Sequence, residues 1–282
     1  MTPCKNEGER LPALIESIIG QNIQPVVWVI IDDSSTDYTP KIIDLYSEKN
    51  KWIQNLRLNE TTDRDIGLHL SRVINYGFNF AIKYCEENAI EYEYLGNVDG
   101  DLVLEKTFFE NLILQFEMDE DLGIASGGTE YHIGDKRLHI KTHADEPSGG
   151  HMLIRKECFE ACNGIPVTYA ADAVLKAKAR LRGWRTRRFE ENLAVEMRDV
   201  SSADGYWKGY ITKGITSYYI NQNPMHVMGN AAKYLIRRPH YIFIPYLIGY
   251  INCVLHNAER VDDPEVKNYF HNKWKECIRR RL

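Results

Sequence analysis

Val26 to Ile31 is a continuous apolar run that ends on two aspartates, Asp32 and Asp33. A strand buried on both faces has no polar side, so such a run reads as an interior strand of a parallel sheet, and a parallel sheet needs helices on its faces. The flanking sequence supplies them. Leu11, Leu14, Ile15, Ile18 and Ile19 follow helical spacing, with Asn6 as a candidate cap. Ile42, Ile43 and Tyr46 mark a second helix, and Val73, Ile74, Phe78, Ala81, Ile82 and Cys85 a longer amphipathic one. Ile53 to Leu58 and Tyr92 to Val98 read as further strands, the latter ending at Asp99-Gly100-Asp101. Alternating units of this kind give an α/β fold with a mostly parallel sheet. No strand is expected before the first helix, because the chain opens Met1-Thr2-Pro3-Cys4-Lys5-Asn6.

Beyond about residue 122 the pattern is mixed. Leu122 to Ser126 and Met152 to Ile154 read as strands around a glycine-rich middle. Ala170 to Arg182 reads as a helix stopped by Gly183, followed by two short strands, Arg185 to Phe189 and Leu193 to Glu196. After residue 207 the chain is mainly helical and rich in tyrosine. The expected organisation is a catalytic domain over 1–206, with a nucleotide-binding part to about 121 and an acceptor part over 122–206, then a helical extension over 207–282.

Open α/β sheets bind ligands outside the carboxyl ends of their strands. Asp32/Asp33 and Asp99-Gly100-Asp101 stand at two such ends. Paired carboxylates suit a hard cation, Mn²⁺ or Mg²⁺, bridging to phosphate. An acidic turn with no ligand is the plain alternative. No phosphate-cradling glycine loop of the nucleotide-triphosphatase or dinucleotide type is present, so a bound phosphate is expected to be held through metal. A net charge of −5 argues against nucleic acid as partner. Asp172, in the first turn of its helix, is either a carboxylate favoured by the helix dipole or a general base. Six scattered cysteines do not make a metal site; they read as reduced, mostly buried thiols of a cytoplasmic protein, and no signal peptide is expected.

Taken in order, five segments resemble family 2 glycosyltransferases of the GT-A fold, a Rossmann-like mixed sheet. They are Pro3-Cys4-Lys5-Asn6-Glu7, Val29 to Asp37 with Asp32-Asp33-Ser34-Ser35-Thr36-Asp37 at its end, Asn97-Val98-Asp99-Gly100-Asp101, Ser148-Gly149-Gly150 with the run to Phe159, and Asp172 with Ala179 to Trp184. The resemblance implies that Asp33, Asn6 and Glu7 face the nucleotide with Asp99 nearby, that Asp101 ligates the metal, and that Asp172 is the base on the acceptor hydroxyl. It implies an inverting transfer from a UDP- or GDP-sugar to a glycan or lipid-linked acceptor. Ala171-Asp172 stands where the family often has Glu-Asp, and no Q-x-x-R-W motif is present, which favours addition of a single sugar over polymer synthesis. Glu196-Met197-Arg198 occupies the place of a frequent late-strand histidine.

Residues 240–255 form an apolar, aromatic run interrupted by Pro245, Gly249 and Asn252, too short to span a bilayer. With Arg237-Arg238 before it and Arg279-Arg280-Arg281 at the end of the chain, residues 237–282 read as a helix packed on the catalytic domain or on a second copy. A peripheral contact with the inner face of a membrane is the other reading. Two other functions compete: a haloacid-dehalogenase-type phosphatase with Asp99 as nucleophile and Asp101 as acid/base, which leaves Asp32 to Asp37 unexplained, and a non-catalytic glycosyltransferase-like binding protein.

Overall fold

The computed structural model describes residues 1–59, 67–133, 136–140, 142–197 and 205–279. Arg198, Arg280 and Arg281, named above, lie outside them, as does the Cys277 side chain. The chain divides into two compact units: Met1–Val167 with Ala171–Asp199, and Thr168–Ala170 with Val200–Leu282.

In the first unit, β1 (Thr2–Cys4), β2 (Trp28–Asp33) and β3 (Ile53–Leu58) form a parallel sheet in the order β1-β2-β3. All six residues of β2 are buried, as its unbroken apolar run requires. The helices α1 (Leu11–Ile19), α2 (Thr39–Lys49) and α3 (Leu68–Glu87) accompany these strands. The strand β4 (Tyr94–Val98) lies on the other side of β1: Met1 N donates to Gly96 O (2.6 Å) and Val98 N to Met1 O (3.0 Å), the bond pattern of a parallel pair.

The rest of the unit is a mixed sheet. After β5 (Leu102–Leu104) and α4 (Phe108–Met118) come β6 (Leu122–Ile133), β7 (Lys136–Ile140), β8 (His151–Arg155), α5 (Lys156–Ala161), α6 (Ala171–Leu181) and β9 (Arg185–Glu196). Its order is β4-β8-β6-β9-β5, with β7 paired to β6; only β6 and β9 run parallel. The core of α1, β2 and α4 is filled by Leu11, Leu14, Ile15, Ile30, Phe108, Leu112 and Phe116, all essentially inaccessible.

Three expectations are corrected. A strand does precede the first helix: Thr2, Pro3 and Cys4 pair in parallel with Ile30, Ile31 and Asp32, and three residues are too few to show any periodicity of their own. Asn6 does not cap α1, which starts at Leu11 after Arg10. Asn6 instead sits at φ 56°, where asparagine is tolerated, and its side chain turns to another loop. The two short strands after Gly183 are one strand, β9, whose register slips opposite Gly127 and Gly128. The interruption legible at Glu190-Glu191-Asn192 is that bulge.

The second unit is helical: α7 (Gly205–Tyr219), α8 (Pro224–Ile236), a short 3₁₀ turn (His240–Ile242), α9 (Phe243–Leu255) and α10 (Pro264–Arg279). Asn223 caps α8 by accepting from Met225 N (2.9 Å). Gly214 and Gly249 let α7 and α9 cross closely. A Cβ on Gly214 would strike the Tyr246 carbonyl, and one on Gly249 the Ile211 carbonyl. Tyr210, Val227, Ala231, Ile242 and Tyr246 close the core between them. Among the described residues no helix is long and apolar enough to cross a membrane. Cys4, Cys85, Cys158, Cys162 and Cys253 are buried and unbridged.

Candidate active site

The carboxyl ends of β1, β2 and β4 point the same way and bring the sequence-predicted residues together. Asp33 closes β2 and is 7% exposed. Its carboxylate accepts from His69 Nε2 (2.8 Å) and is 3.5 Å from Lys5 Nζ, so two side chains from α3 and the end of β1 fix its orientation. Asp32, one residue earlier, accepts from Ser35 N (3.0 Å) and shapes the turn. Asp37 accepts from Gly8 N (3.0 Å) and Thr39 N (2.9 Å). Desolvation pushes its carboxyl up, but these bonds and the Thr39 hydroxyl outweigh that and hold it below the usual range. Asp37 therefore stitches the start of α2 to the segment after β1.

Asn6 and Glu7 belong to the same seam. Asn6 N donates to Ser35 Oγ (2.9 Å), and its side-chain oxygen accepts from Thr36 N (2.8 Å). Glu7 N donates to Thr39 Oγ1 (2.9 Å), while its carboxylate is buried 3.8 Å from Arg10. Both residues thus brace the Asp33 turn from the β1 side.

The second acidic end follows β4. Asp99 N donates to Gly150 O (2.7 Å), and Asn97 Nδ2 donates to Asp99 Oδ1 (3.3 Å) and to Gly149 O (2.7 Å). Gly149 and Gly150 are where the two acidic regions meet. A Cβ on Gly150 would lie 2.5 Å from Asp99 Oδ2, and one on Gly149 would lie 2.8 Å from Asp172 Cβ. Asp99 and Asp172, far apart in sequence, therefore pack against adjacent residues of one turn, a closeness that the lack of a Cβ at both glycines allows.

Asp172 is in the first turn of α6. Its side chain is about half buried, 45% exposed, and Lys176 Nζ donates to its Oδ2 at 2.9 Å. Lys176 is itself buried and donates also to Pro147 O (2.9 Å). Desolvation against the turn pushes the Asp172 carboxyl up. The Lys176 charge and hydrogen bond, and the N–H groups at the helix start, prevail and hold it below its ordinary value.

The carboxylates share a second centre, Cys4. Its thiol is held well above its ordinary range, first by burial and then by Glu7, Asp32, Asp101 and Asp99. A Cβ on Gly100 would meet Cys4 Sγ at 3.1 Å and Glu7 Cγ at 3.2 Å, so the loop after β4 lies directly on the end of β1. Asp101 then leads into β5, and its carbonyl accepts from Met197 N (2.9 Å). Tyr131 is near it: burial, then Glu196 and Asp101, push the phenol up.

No three His, Cys, Asp or Glu side chains among the described residues form a cage for a metal. The donor set nonetheless fits a divalent cation of the Mg²⁺ or Mn²⁺ kind. Glu7, Asp32, Asp99 and Asp101 all lie near enough to Cys4 to raise its thiol, which stays protonated and so is no ligand, and these ions keep water and substrate phosphate in most of their positions, needing only one or two protein carboxylates.

Sequence reasoning missed His69, Lys5, Tyr131 and Lys176. His69 and Tyr131 carry no local signal, since each reaches its partner through the fold. Lys176 did carry one, standing four residues after Asp172 on the same helix.

Among solved structures, a mannosyltransferase of Pyrobaculum calidifontis (PcManGT) in complex with GDP-Man and Mn2+ is similar at 16% identity and TM-score 0.55, covering 99% of this chain and 74% of that one. S. aureus TarS 1–349 in complex with UDP-GlcNAc is similar at 15% identity and TM-score 0.55, over 89% and 71%. A longer TarS structure matches at 17% identity and TM-score 0.53, over 78% of this chain and 38% of that one. No curated protein matches in sequence. The model of glycosyl transferase family 2 matches residues 1–171, more than half of the chain. With that match and a GT-A arrangement of strands, the chain belongs to glycosyl transferase family 2 and is a glycosyltransferase.

Proposed function

We propose that this enzyme moves one sugar from a UDP- or GDP-sugar to a hydroxyl of a glycan or lipid-linked acceptor, with inversion, on the cytoplasmic side. Residues 1–206 carry the chemistry and 207–282 the helical extension. The observation that carries the reading is the Gly149-Gly150 turn, which packs Asp99 on one residue and Asp172 on the next. A donor-side carboxylate and a half-buried candidate base thus lie against adjacent residues of one turn, which supports their acting together in a single in-line displacement. The neighbours bound to GDP-Man and to UDP-GlcNAc support both donor classes, and the Mn2+ in the first supports a metal.

In this reading Asp33, with Asn6 and Glu7 bracing its turn, holds the nucleotide base side of the donor, and His69 and Lys5 keep its carboxylate aimed. Asp101, with Asp99 beside it, would hold Mn²⁺ or Mg²⁺; bound there, the ion supplies positive charge to the departing diphosphate. Asp172 takes the proton of the acceptor hydroxyl as the new bond forms, a contribution of about 10²–10⁴-fold. Lys176 keeps that carboxylate ionised and pointed.

The test is turnover of UDP- and GDP-sugars with Mn²⁺, run alongside equilibrium binding of the donor. Asp172→Asn should abolish transfer and leave donor binding intact, and Asp101→Asn should abolish the Mn²⁺ dependence of binding. Full transfer by Asp172→Asn would remove the base assignment. An Asp101→Asn protein that still binds donor only with Mn²⁺ would remove the metal assignment.

A further inference from the structure

The second unit carries a surface that the transfer chemistry does not use. α9 buries Pro245, Tyr246, Gly249 and Cys253 on one side, while Ile244, Ile248, Ile251 and Leu255 on the other are between 41% and 77% exposed. Those four recur at the 4-3-4 spacing of a single helix face. α8 repeats the arrangement. Val227 and Ala231 are buried, while Met225 (70%), Met228 (61%) and Ile236 (79%) are exposed. Trp207 and Tyr241, both close to half exposed, stand side by side with ring centroids 6.3 Å apart. Scattered exposed apolar residues need no explanation, but two helical stripes with an exposed aromatic pair do.

Charge identifies the occupant. From Gly205 to Ala258 the chain has no Asp and no Glu, yet it carries Lys208, Lys213, Lys233, Arg237 and Arg238, in a protein whose net charge is −5. Arg237 and Arg238 are exposed at the junction between the two striped helices. Lys213 packs its ammonium over the Tyr210 ring at 4.3 Å and feels the Arg237 charge, so the cations gather rather than disperse. An apolar stripe flanked by cations and by exposed Trp and Tyr, with no acidic residue from Gly205 to Ala258, is complementary to an anionic lipid surface. The 13 residues of α9 extend about 20 Å, short of the ~30 Å hydrocarbon core, so the helix can lie in the interface but not cross it.

We propose that α8 and α9 are a peripheral membrane-docking surface that inserts the Ile244/Ile248/Ile251/Leu255 stripe into the headgroup region of an anionic bilayer, with Arg237 and Arg238 on the phosphates. The inference stands apart from the catalytic reading, since none of these residues belongs to the first unit.

The test is co-sedimentation of the full chain with phosphatidylcholine vesicles and with the same vesicles containing phosphatidylserine. Binding is expected to the anionic vesicles, weakening with added salt. The pair Arg237→Glu/Arg238→Glu should lower it by at least about 25-fold, at about fivefold per basic residue. Ile248→Asp/Ile251→Asp should also abolish it, and both variants should keep the wild-type melting temperature because the altered side chains are exposed. No sedimentation with either vesicle, or sedimentation that neither variant changes, overturns the proposal. So does a wild-type dimer in vesicle-free solution that Ile248→Asp/Ile251→Asp turns into monomer, since a second copy would then cover the face.

Discussion

Gly150→Ala tests the idea that one turn sets the distance between the donor and acceptor carboxylates. A Cβ built on Gly150 lies 2.5 Å from Asp99 Oδ2 and 3.2 Å from Asp99 Cγ, whereas ordinary contact begins at 3.4 Å. The carboxylate must therefore retreat by about 0.9 Å, and a misplacement of ~1 Å in a reacting constellation costs on the order of 100-fold in rate. That corresponds to ~2.7 kcal/mol of lost transition-state stabilisation. The atom struck first is the end of a side chain that can rotate away, so folding should survive with little change in melting temperature. Gly229→Ala is the matched control. Nothing lies within 4 Å of a Cβ there, and in the interior of α8 the substitution should stabilise by ~0.5–1 kcal/mol without touching turnover. The assay is release of nucleoside diphosphate from UDP- and GDP-sugars at saturating Mn²⁺, with thermal melts of both variants. A folded Gly150→Ala enzyme with wild-type kcat/KM would refute the reasoning, because Asp99 would then have moved at no cost to the chemistry.

Three further predictions follow from the same geometry. Lys176→Met removes the charge that holds the Asp172 carboxyl below its ordinary value, so the acid limb of the kcat/KM profile should move to higher pH. An unmoved limb would show that Asp172 is not the titrating base. His69→Phe takes one of the two side chains orienting Asp33 and should raise the donor KM by roughly tenfold, the equivalent of one hydrogen bond, with kcat little changed; a fall in kcat alone would place His69 elsewhere in the cycle. His151 is 2% exposed, and burial, then the Arg188 charge, lower its imidazole to about 3. Below pH ~6.5 the unfolded chain gains a proton that the folded chain refuses, so stability should decline by ~1.4 kcal/mol per pH unit toward acid. His151→Gln should lack that share of the slope in denaturant titrations at pH 7 and pH 5, and equal losses in the two proteins would count against the assignment.

What could be read from the sequence is what local chemistry dictates. The apolar run before Asp32-Asp33 could only be a buried strand, and Asp33, Asp99 and Asp172 could be singled out because strand ends and helix starts are local features. The resemblance to family 2 glycosyltransferases rested on the same residues, and the family match agrees with it. What escaped was non-local. β1 is only three residues long, and its order comes from partners in β2 and β4 rather than from its own pattern. The role of Asn6 turned on a backbone angle that no neighbouring residue signals. The glycines at 149 and 150 were visible as a pair, but the carboxylates they accommodate come from other segments of the chain.

The order β4-β8-β6-β9-β5 also governs how the molecule can be assembled. β9, the last of the described strands in chain order, is inserted between β5 and β6, which are made long before it. Until Glu196 emerges, both of those strands carry open edges, and open edges invite pairing with other chains. A fragment cut at residue 171, where the family match stops, would keep Asp33, Asp99 and Asp101 but could not close its sheet. Its weakness would be aggregation, and the acidic residues it retains would give no protection from it.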